Sequence, residues 1–311
     1  MRVMSEEVSA ELIDEELALS AARQAFLASR YGKTFPVVVA HTTDGQNRLT
    51  VKSGSTPTSV GVKIGSYWPG NPALGLARHS STVLLLDPDT GRVAAVVEAS
   101  HANGYRTAAA DALAVETLSR AESRVLTVVG TGSQARHEAL AVSRVRPIEN
   151  ILVVGRRADA AARAAADLRR LTGISVAVVG AEEGCRRADI IVTATTATAP
   201  VLDVSWVRAG THISAMGADG PGKQELPTTL LGRARLFCDL PDQARRIGEF
   251  QHAAADATIT ALGDVLHGIA SGRTDDEQIT IFDSSGFALQ DLALAAALLA
   301  REDALGSRAV R

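Results

Sequence analysis

Cysteine is scarce in this chain of 311 residues: the two present, Cys185 and Cys238, lie far apart and neither belongs to a CxxC pair. That leaves no disulfide framework and no thiolate zinc site, so no metal is expected and the two thiols read as free in a reducing compartment. A surplus of one charge is also missing. Thirty-two Lys and Arg against 35 Asp and Glu give a net charge of −3, which provides no electrostatic reason to expect nucleic acid or an anionic membrane as a partner. No uninterrupted apolar run reaches the roughly 18 residues of a membrane span. The opening "MRVMSEEVSAEL" is acidic and lacks the apolar core of a secretion signal, so a cytoplasmic protein is the expectation. Internal repeats and long low-complexity linkers are absent as well. What is there, 46% hydrophobic and 22% charged residues, is the composition of a soluble globular protein, long enough for two domains.

The two halves are patterned differently. "DEELALSAARQAFLASRY" (14–31) carries Leu17, Ala21, Ala25 and Ala28 at helical spacing, with Gly32 as its stop. Short β-type runs follow, "PVVVAHT", "RLTVKSG", "VGVKIGSYW", "STVLLLD" and "RVAAVVEA", and "DPDTG" (87–91) reads as a hairpin turn. This spacing predicts an antiparallel or mixed sheet, and a helix is expected from Arg106. Beyond it, "RVLTVVG", "NILVVG", "ISVAVVG", "DIIVTATT", "THISAMG", "RLFCDL" and "ITIFDSSG" are apolar runs, most of them joined by helical segments, the pattern of a parallel sheet buried on both faces. The final "FALQDLALAAALLARE" predicts an amphipathic helix packed on the first domain.

Within the second half, "VVGTGSQARHEAL" (128–140) places Gly130, Thr131, Gly132, Ser133, Gln134 and Ala135 after the first strand and before a helix. A lone GxGxxA reads equally as a tight structural turn, but this strand-to-helix setting is the one a dinucleotide-binding turn requires. Gly130 permits the turn, Gly132 admits a pyrophosphate, and the helix N-terminus favours its charge. After the second strand, "VVGRRADA" offers Arg156 and Arg157 and no acid before Asp159. An NAD site usually places a carboxylate there for the ribose 2′-hydroxyl, whereas a guanidinium suits a 2′-phosphate. NADP is the expected cofactor, with NAD possible, and Thr195 after the fourth strand joins the candidate cofactor residues.

Two clusters carry further chemistry. Lys63 alternates with Val62 and Ile64, which on its own reads as an exposed strand edge, and Arg106 opens the expected helix downstream. "GADGPGKQEL" (217–226) follows the fifth strand of the parallel sheet, where ligands bind in doubly wound folds, so Asp219 and Lys223 can meet a substrate. The same loop also reads as plain turn chemistry.

Taken in order along the chain, "GVK" (61–63), "DPDTGR" (87–92), "RTAA" (106–109), "GTGSQA" (130–135) and "GADGPGKQEL" resemble the ornithine cyclodeaminase/μ-crystallin family. "YWPGN", "HSSTV", "GEFQHA" and "ITIFDSSGFALQDLA" resemble most its iminosuccinate reductase group. The resemblance implies an α/β fold: a Rossmann doubly wound parallel sheet over 122–287, and an α+β substrate-binding and dimerisation domain from 1–121 plus 288–311. It implies a homodimer that moves hydride between NAD(P)H and the α-carbon of a small α-imino or α-amino acid. Lys63 matches the lysine that touches the substrate carboxylate and assists proton transfer, and Arg106 the arginine that pairs with that carboxylate. Asp219 matches the acid that handles protons at the substrate nitrogen, Lys223 the lysine four residues later, and Arg157 the arginine of NADP-using members. The chain departs from the pattern at Val39, where members commonly carry an arginine, so that one carboxylate clamp is either missing or replaced by Arg48 or Lys52 from the next strand. Asn103 stands where a threonine often precedes the "RTAA" arginine. Two alternatives stay open: a cyclodeaminase-type ammonia-lyase that recycles bound NAD, and a non-catalytic, crystallin-like binding protein.

Overall fold

A computed structural model describes residues 1–309. The chain divides into two compact units, Met1–Arg106 with the chain from Phe287 onward, and Thr107–Gly286.

The first unit opens with β1 (Arg2–Met4), α1 (Glu6–Leu12) and α2 (Glu15–Ala28). Asp14 caps α2 by accepting from the Leu17 amide at 2.8 Å, and Leu17, Ala21, Ala25 and Ala28 form much of its buried stripe. Six more strands follow: β2 (Lys33–Thr34), β3 (Val38–His41), β4 (Arg48–Thr56), β5 (Ser59–Tyr67), β6 (His79–Leu86) and β7 (Val93–Glu98). They form a mixed sheet ordered β1-β7-β6-β5-β4-β2, with β3 also on β4, in which only β1 pairs in parallel. The β6–β7 turn has Gly91 at φ 69°, as its composition predicts.

Helix α3 (Ser100–Leu118) starts six residues before Arg106, where the sequence pattern had placed its beginning. The reason is remote. The Glu6 carboxylate accepts from the Ser100 and His101 amides at 2.7 and 2.6 Å and caps the helix from a distant part of the chain. Arg106 and Asn103 therefore share one helix, a turn apart.

The second unit alternates β8 (Val125–Val129), α4 (Ser133–Val145), β9 (Asn150–Val154), α5 (Ala158–Thr172), β10 (Ser175–Val178) and α6 (Ala181–Arg187). It continues with β11 (Ile190–Thr193), β12 (His212–Ala215), α7 (Thr228–Leu231), β13 (Arg235–Cys238) and α8 (Pro241–Ile247). The last elements are β14 (Ile259–Ala261), α9 (Leu262–Leu266) and β15 (Thr280–Asp283), after which α10 (Ala288–Ala309) belongs to the first unit. All pairings are parallel, in the order β10-β9-β8-β11-β12-β15-β13-β14. β14 is absent from the sequence expectation: three half-buried residues are too short to show a period. β11, β12 and β15 are buried at every position, although β12 and β15 carry His212, Ser214, Thr280 and Asp283 among their buried residues. The fold is thus α/β, a doubly wound parallel sheet with a second, α+β unit. No helix among the described residues is long and apolar enough to cross a membrane.

Candidate active site

Chain order reverses between β8 and β11, and the crevice outside such a switch point is where doubly wound sheets bind ligands. Gly130 and Ala194 meet there. Gly130 has φ 138°, and a Cβ on it would lie 2.6 Å from the Ala194 carbonyl oxygen, so only glycine fits. Gly132 is different: its backbone is ordinary (φ −80°, ψ 177°), it caps α4, and a Cβ on it would meet nothing within 4 Å. The space is open on the ligand side of the helix N-terminus. Ala135 is buried under the turn, Thr131 and Gln134 are half-buried, and Ser133 is exposed on the first turn of α4. The turn therefore fits a dinucleotide pyrophosphate, with amide donors at a helix N-terminus and no side chain in the way.

Past β9, Arg156 and Arg157 are both exposed, and the Arg157 guanidinium lies 3.9 Å from the Asp159 carboxylate on α5. Thr195, just past β11, donates from its amide and its hydroxyl to Glu225 Oε1, each at 2.7 Å.

In the first unit Lys63 is buried at 4% exposure while its neighbour Ile64 is 40% exposed, the reverse of an edge-strand lysine. The inward face of β5 runs Gly61, Lys63, Gly65, and in antiparallel register Lys52 stands directly opposite Lys63, with Thr50 opposite Gly65 and Arg48 opposite Tyr67. Val39 pairs with Thr50 and so shares this face, which puts Lys52 and Arg48 on the side where an arginine at 39 would point. Asp291 of α10 lies 3.2 Å from Lys63 Nζ and 3.1 Å from Arg106 Nε. Asn103 Oδ1 accepts from Lys63 Nζ at 2.6 Å and from Arg106 Nη2 at 2.8 Å, and Gln290 Oε1 accepts from Arg106 Nη1 at 3.2 Å.

Burial pulls the Lys63 pKa down to about 7, with Asp291 opposing and Arg106 and Lys52 assisting. Burial works to raise Asp291, but Arg106, Lys63 and Lys52 overrule it and hold the carboxyl below its usual range. His79 is pushed down to about 4 by burial and by Lys63, Arg106 and Arg48, so it is a neutral imidazole in this setting. A lysine poised near neutrality beside a guanidinium can bind a carboxylate and exchange a proton.

In the second unit, Asp219 and Lys223 pair at 2.5 Å, and Lys223 Nζ also donates to the Gly217 carbonyl at 3.1 Å. Sequence reasoning reached these two residues but missed Asp291, Gln290, His79 and Glu225. Asp291 and Gln290 sit in "FALQDLA", whose polar pair interrupts an otherwise apolar helix stripe; that interruption was the available signal.

The sequence profile of the Ornithine cyclodeaminase/mu-crystallin family matches residues 1–307. The iminosuccinate reductase of Paracoccus denitrificans is 37% identical, over 96% of this chain and 96% of its own. Its crystal structure with NAD+ superposes at a TM-score of 0.90, covering 98% of this chain and 97% of that one, at 36% identity. An archaeal alanine dehydrogenase dimer with bound NAD gives a TM-score of 0.91 at 34% identity, covering 99% and 97%. The Delta(1)-pyrroline-2-carboxylate reductase of Thermococcus litoralis, solved with NADH and L-proline, gives 0.90 at 26% identity, covering 98% of each chain. With a profile match along nearly the whole length and such relatives on either side, this chain belongs to the ornithine cyclodeaminase/mu-crystallin family.

Proposed function

We propose that the protein is an NAD(P)-dependent oxidoreductase acting on a small α-imino or α-amino acid. The observation that carries the reading is the buried Lys63–Asp291–Arg106 cluster, whose lysine has a pKa near 7. A nicotinamide dinucleotide, when bound, supplies or accepts the hydride at the substrate α-carbon. Gly130 to Ala135 would hold its pyrophosphate, Thr195 in the loop beside Gly130 would lie near it, and Arg156 and Arg157 would favour a 2′-phosphate and hence NADP. Arg106 binds the α-carboxylate in a bidentate manner, and Lys63 Nζ gives or takes the proton at the substrate nitrogen. Asp219 and Lys223 are the second candidate proton relay. Arg48 and Lys52, on the Lys63 face of the sheet, favour a substrate with a further carboxylate. Gly65 on the same face lets β4 and β5 pack closely, since a Cβ there would lie 2.7 Å from Thr50 Oγ1. The likeness to the alanine dehydrogenase dimer supports a homodimer built on the first unit.

A pure binding protein has no need of a lysine tuned to neutrality, which counts against the crystallin-like alternative. The test is oxidation of NADPH and NADH with 2-oxo acids plus ammonia or methylamine, and with cyclic imines. A four-carbon 2-oxo diacid with ammonia is expected to outrun its monocarboxylic counterpart. Lys63→Met should cut turnover by about a hundredfold or more, the scale of losing a general acid or base, while leaving NADPH affinity unchanged. Ammonia release from ornithine without net NADH accumulation would replace this reading with cyclodeamination.

A further inference from the structure

Glu225 is fully buried, at 0% exposure, and no lysine or arginine touches its carboxylate among the hydrogen bonds of the described residues. It is held by hydrogen-bond donors instead. Oε1 accepts from the Thr195 amide and hydroxyl, each at 2.7 Å, and Oε2 accepts from the Thr193 hydroxyl and the Gly217 amide, each at 2.8 Å. The topology explains why a carboxylate stands there. β11 and β12 pair in parallel as far as Thr193 and Ala215, and the chain leaves both strands for loops after that. The Ala194 and Met216 amides still donate to the Val129 and Thr193 carbonyls, but the Thr195 and Gly217 amides that follow donate to a side chain instead, and buried N–H groups require such acceptors. One side chain supplies them for both loops.

The carboxylate is itself seated from behind. The Glu225 amide donates to both Glu249 oxygens at 3.1 and 3.0 Å, and the Leu226 amide donates to Glu249 Oε1 at 2.7 Å. On one side of Glu225 lies the Ala194–Thr195 loop, whose Ala194 carbonyl abuts Gly130 of the glycine turn. On the other begins the loop of Gly217, Asp219 and Lys223, with Lys223 Nζ donating to the Gly217 carbonyl.

We propose that Glu225 is a positioning residue that locks the Thr195 loop to the Gly217–Lys223 loop, so that cofactor-side and proton-handling groups keep one fixed spacing. The inference rests on the reading of Asp219 and Lys223 as proton-handling groups. Glu249 is the brace that fixes the Glu225 backbone.

The test combines native-state hydrogen exchange with a double-mutant cycle. In Glu225→Gln, an amide that presents a donor where the carboxylate accepted, exchange at the Thr195 and Gly217 amides of the free chain should rise about tenfold or more. Exchange at the Val128 and Ile151 amides should stay as in the parent. Turnover should fall about tenfold to a hundredfold, and in an Asp219→Asn background Glu225→Gln should add little. Thr193→Val, which removes a single donor at a buried position, should move both readouts in the same direction by a smaller factor and provides the test if Glu225→Gln does not fold. Unchanged exchange at Thr195 and Gly217, or fully additive losses in the cycle, would overturn the proposal. If Asp219→Asn by itself leaves turnover unaltered, it is the site reading that fails, and the exchange data still decide whether Glu225 ties the two loops.

Discussion

The two units carry their candidate chemistry in opposite ways. In the second, the candidate cofactor residues are backbone features and exposed tips: an open Gly132, an exposed Ser133, and the exposed Arg156 and Arg157. In the first, the candidate substrate residues are charged side chains sealed in the interior, with Lys63, Arg106 and Asp291 all at 6% exposure or less. An open backbone cradle tolerates substitution until something must bind there. A buried ion cluster feels the loss of any member in its fold and its protonation alike.

The largest effect should come from Gly132→Val. The backbone angles suit any residue and no protein atom lies within 4 Å of the new Cβ, so the fold should persist, while a β-branched side chain fills pyrophosphate space. NADPH binding should become undetectable by fluorescence titration with the circular dichroism spectrum and Tm unchanged. Gly130→Ala provides the contrast, since it meets the Ala194 carbonyl and needs a positive φ, and should lower Tm before any question of binding arises. A folded Gly132→Val that still binds NADPH would reduce the glycine turn to a structural connection.

This contrast also explains what could be read in the sequence. The glycine turn is local: strand, turn and helix are consecutive, and the candidate binding residues are those that shape the backbone. Parallel strands buried on both faces announce themselves as apolar runs. The first unit's cluster is not local, because Lys63, Arg106 and Asp291 come from β5, α3 and α10 and meet only through sheet register and the return of the last helix. A lysine between Val62 and Ile64 carries no local mark of which way it faces; its inward face is shared with Gly61, which leaves room for Leu292 of α10, and with Gly65, which lies against Thr50. The early start of α3 was hidden for the same reason, as its cap, Glu6, lies on α1. Glu225 carries no role in the sequence motif, because its partners Thr193 on β11, Thr195 just past it and Gly217 just past β12 become neighbours only in the folded sheet.

Asp291→Asn should have the next largest effect, and its sign follows from the charges. Asp291 is the anion that raises the Lys63 pKa against burial, Arg106 and Lys52. Neutralising it lets that pKa fall below about 7. Imine reduction that needs the Lys63 ammonium is present below the pKa and lost as pH rises through it, so the alkaline limb of kcat should move to lower pH. Loss of an opposite charge at this distance typically moves a pKa by roughly 1–3 pH units. At pH 8 the ammonium fraction, and with it turnover, should therefore fall about tenfold or more. Thermal stability should drop as well, since two buried cations lose their shared partner. An unmoved limb with lower Tm would make Asp291 a packing residue only.

The smallest effect belongs to the exposed rim. Arg157 has a side chain 71% exposed, so any contact it makes with a 2′-phosphate is screened by solvent and salt. A charge-assisted hydrogen bond to such a group still favours NADPH over NADH, by about tenfold in dissociation constant at low ionic strength. Asp159 lies 3.9 Å from the guanidinium and competes for it, which holds the preference to that modest size. Arg157→Ala should therefore bring NADPH and NADH to within about threefold of each other, by weakening NADPH and sparing NADH. Raising salt from about 50 to about 500 mM should erode the parent's preference in the same direction, and should have little effect on the variant. If the parent binds NADH as tightly as NADPH at low salt, the two arginines of "VVGRRADA" are a solvated turn and the protein is an NAD enzyme.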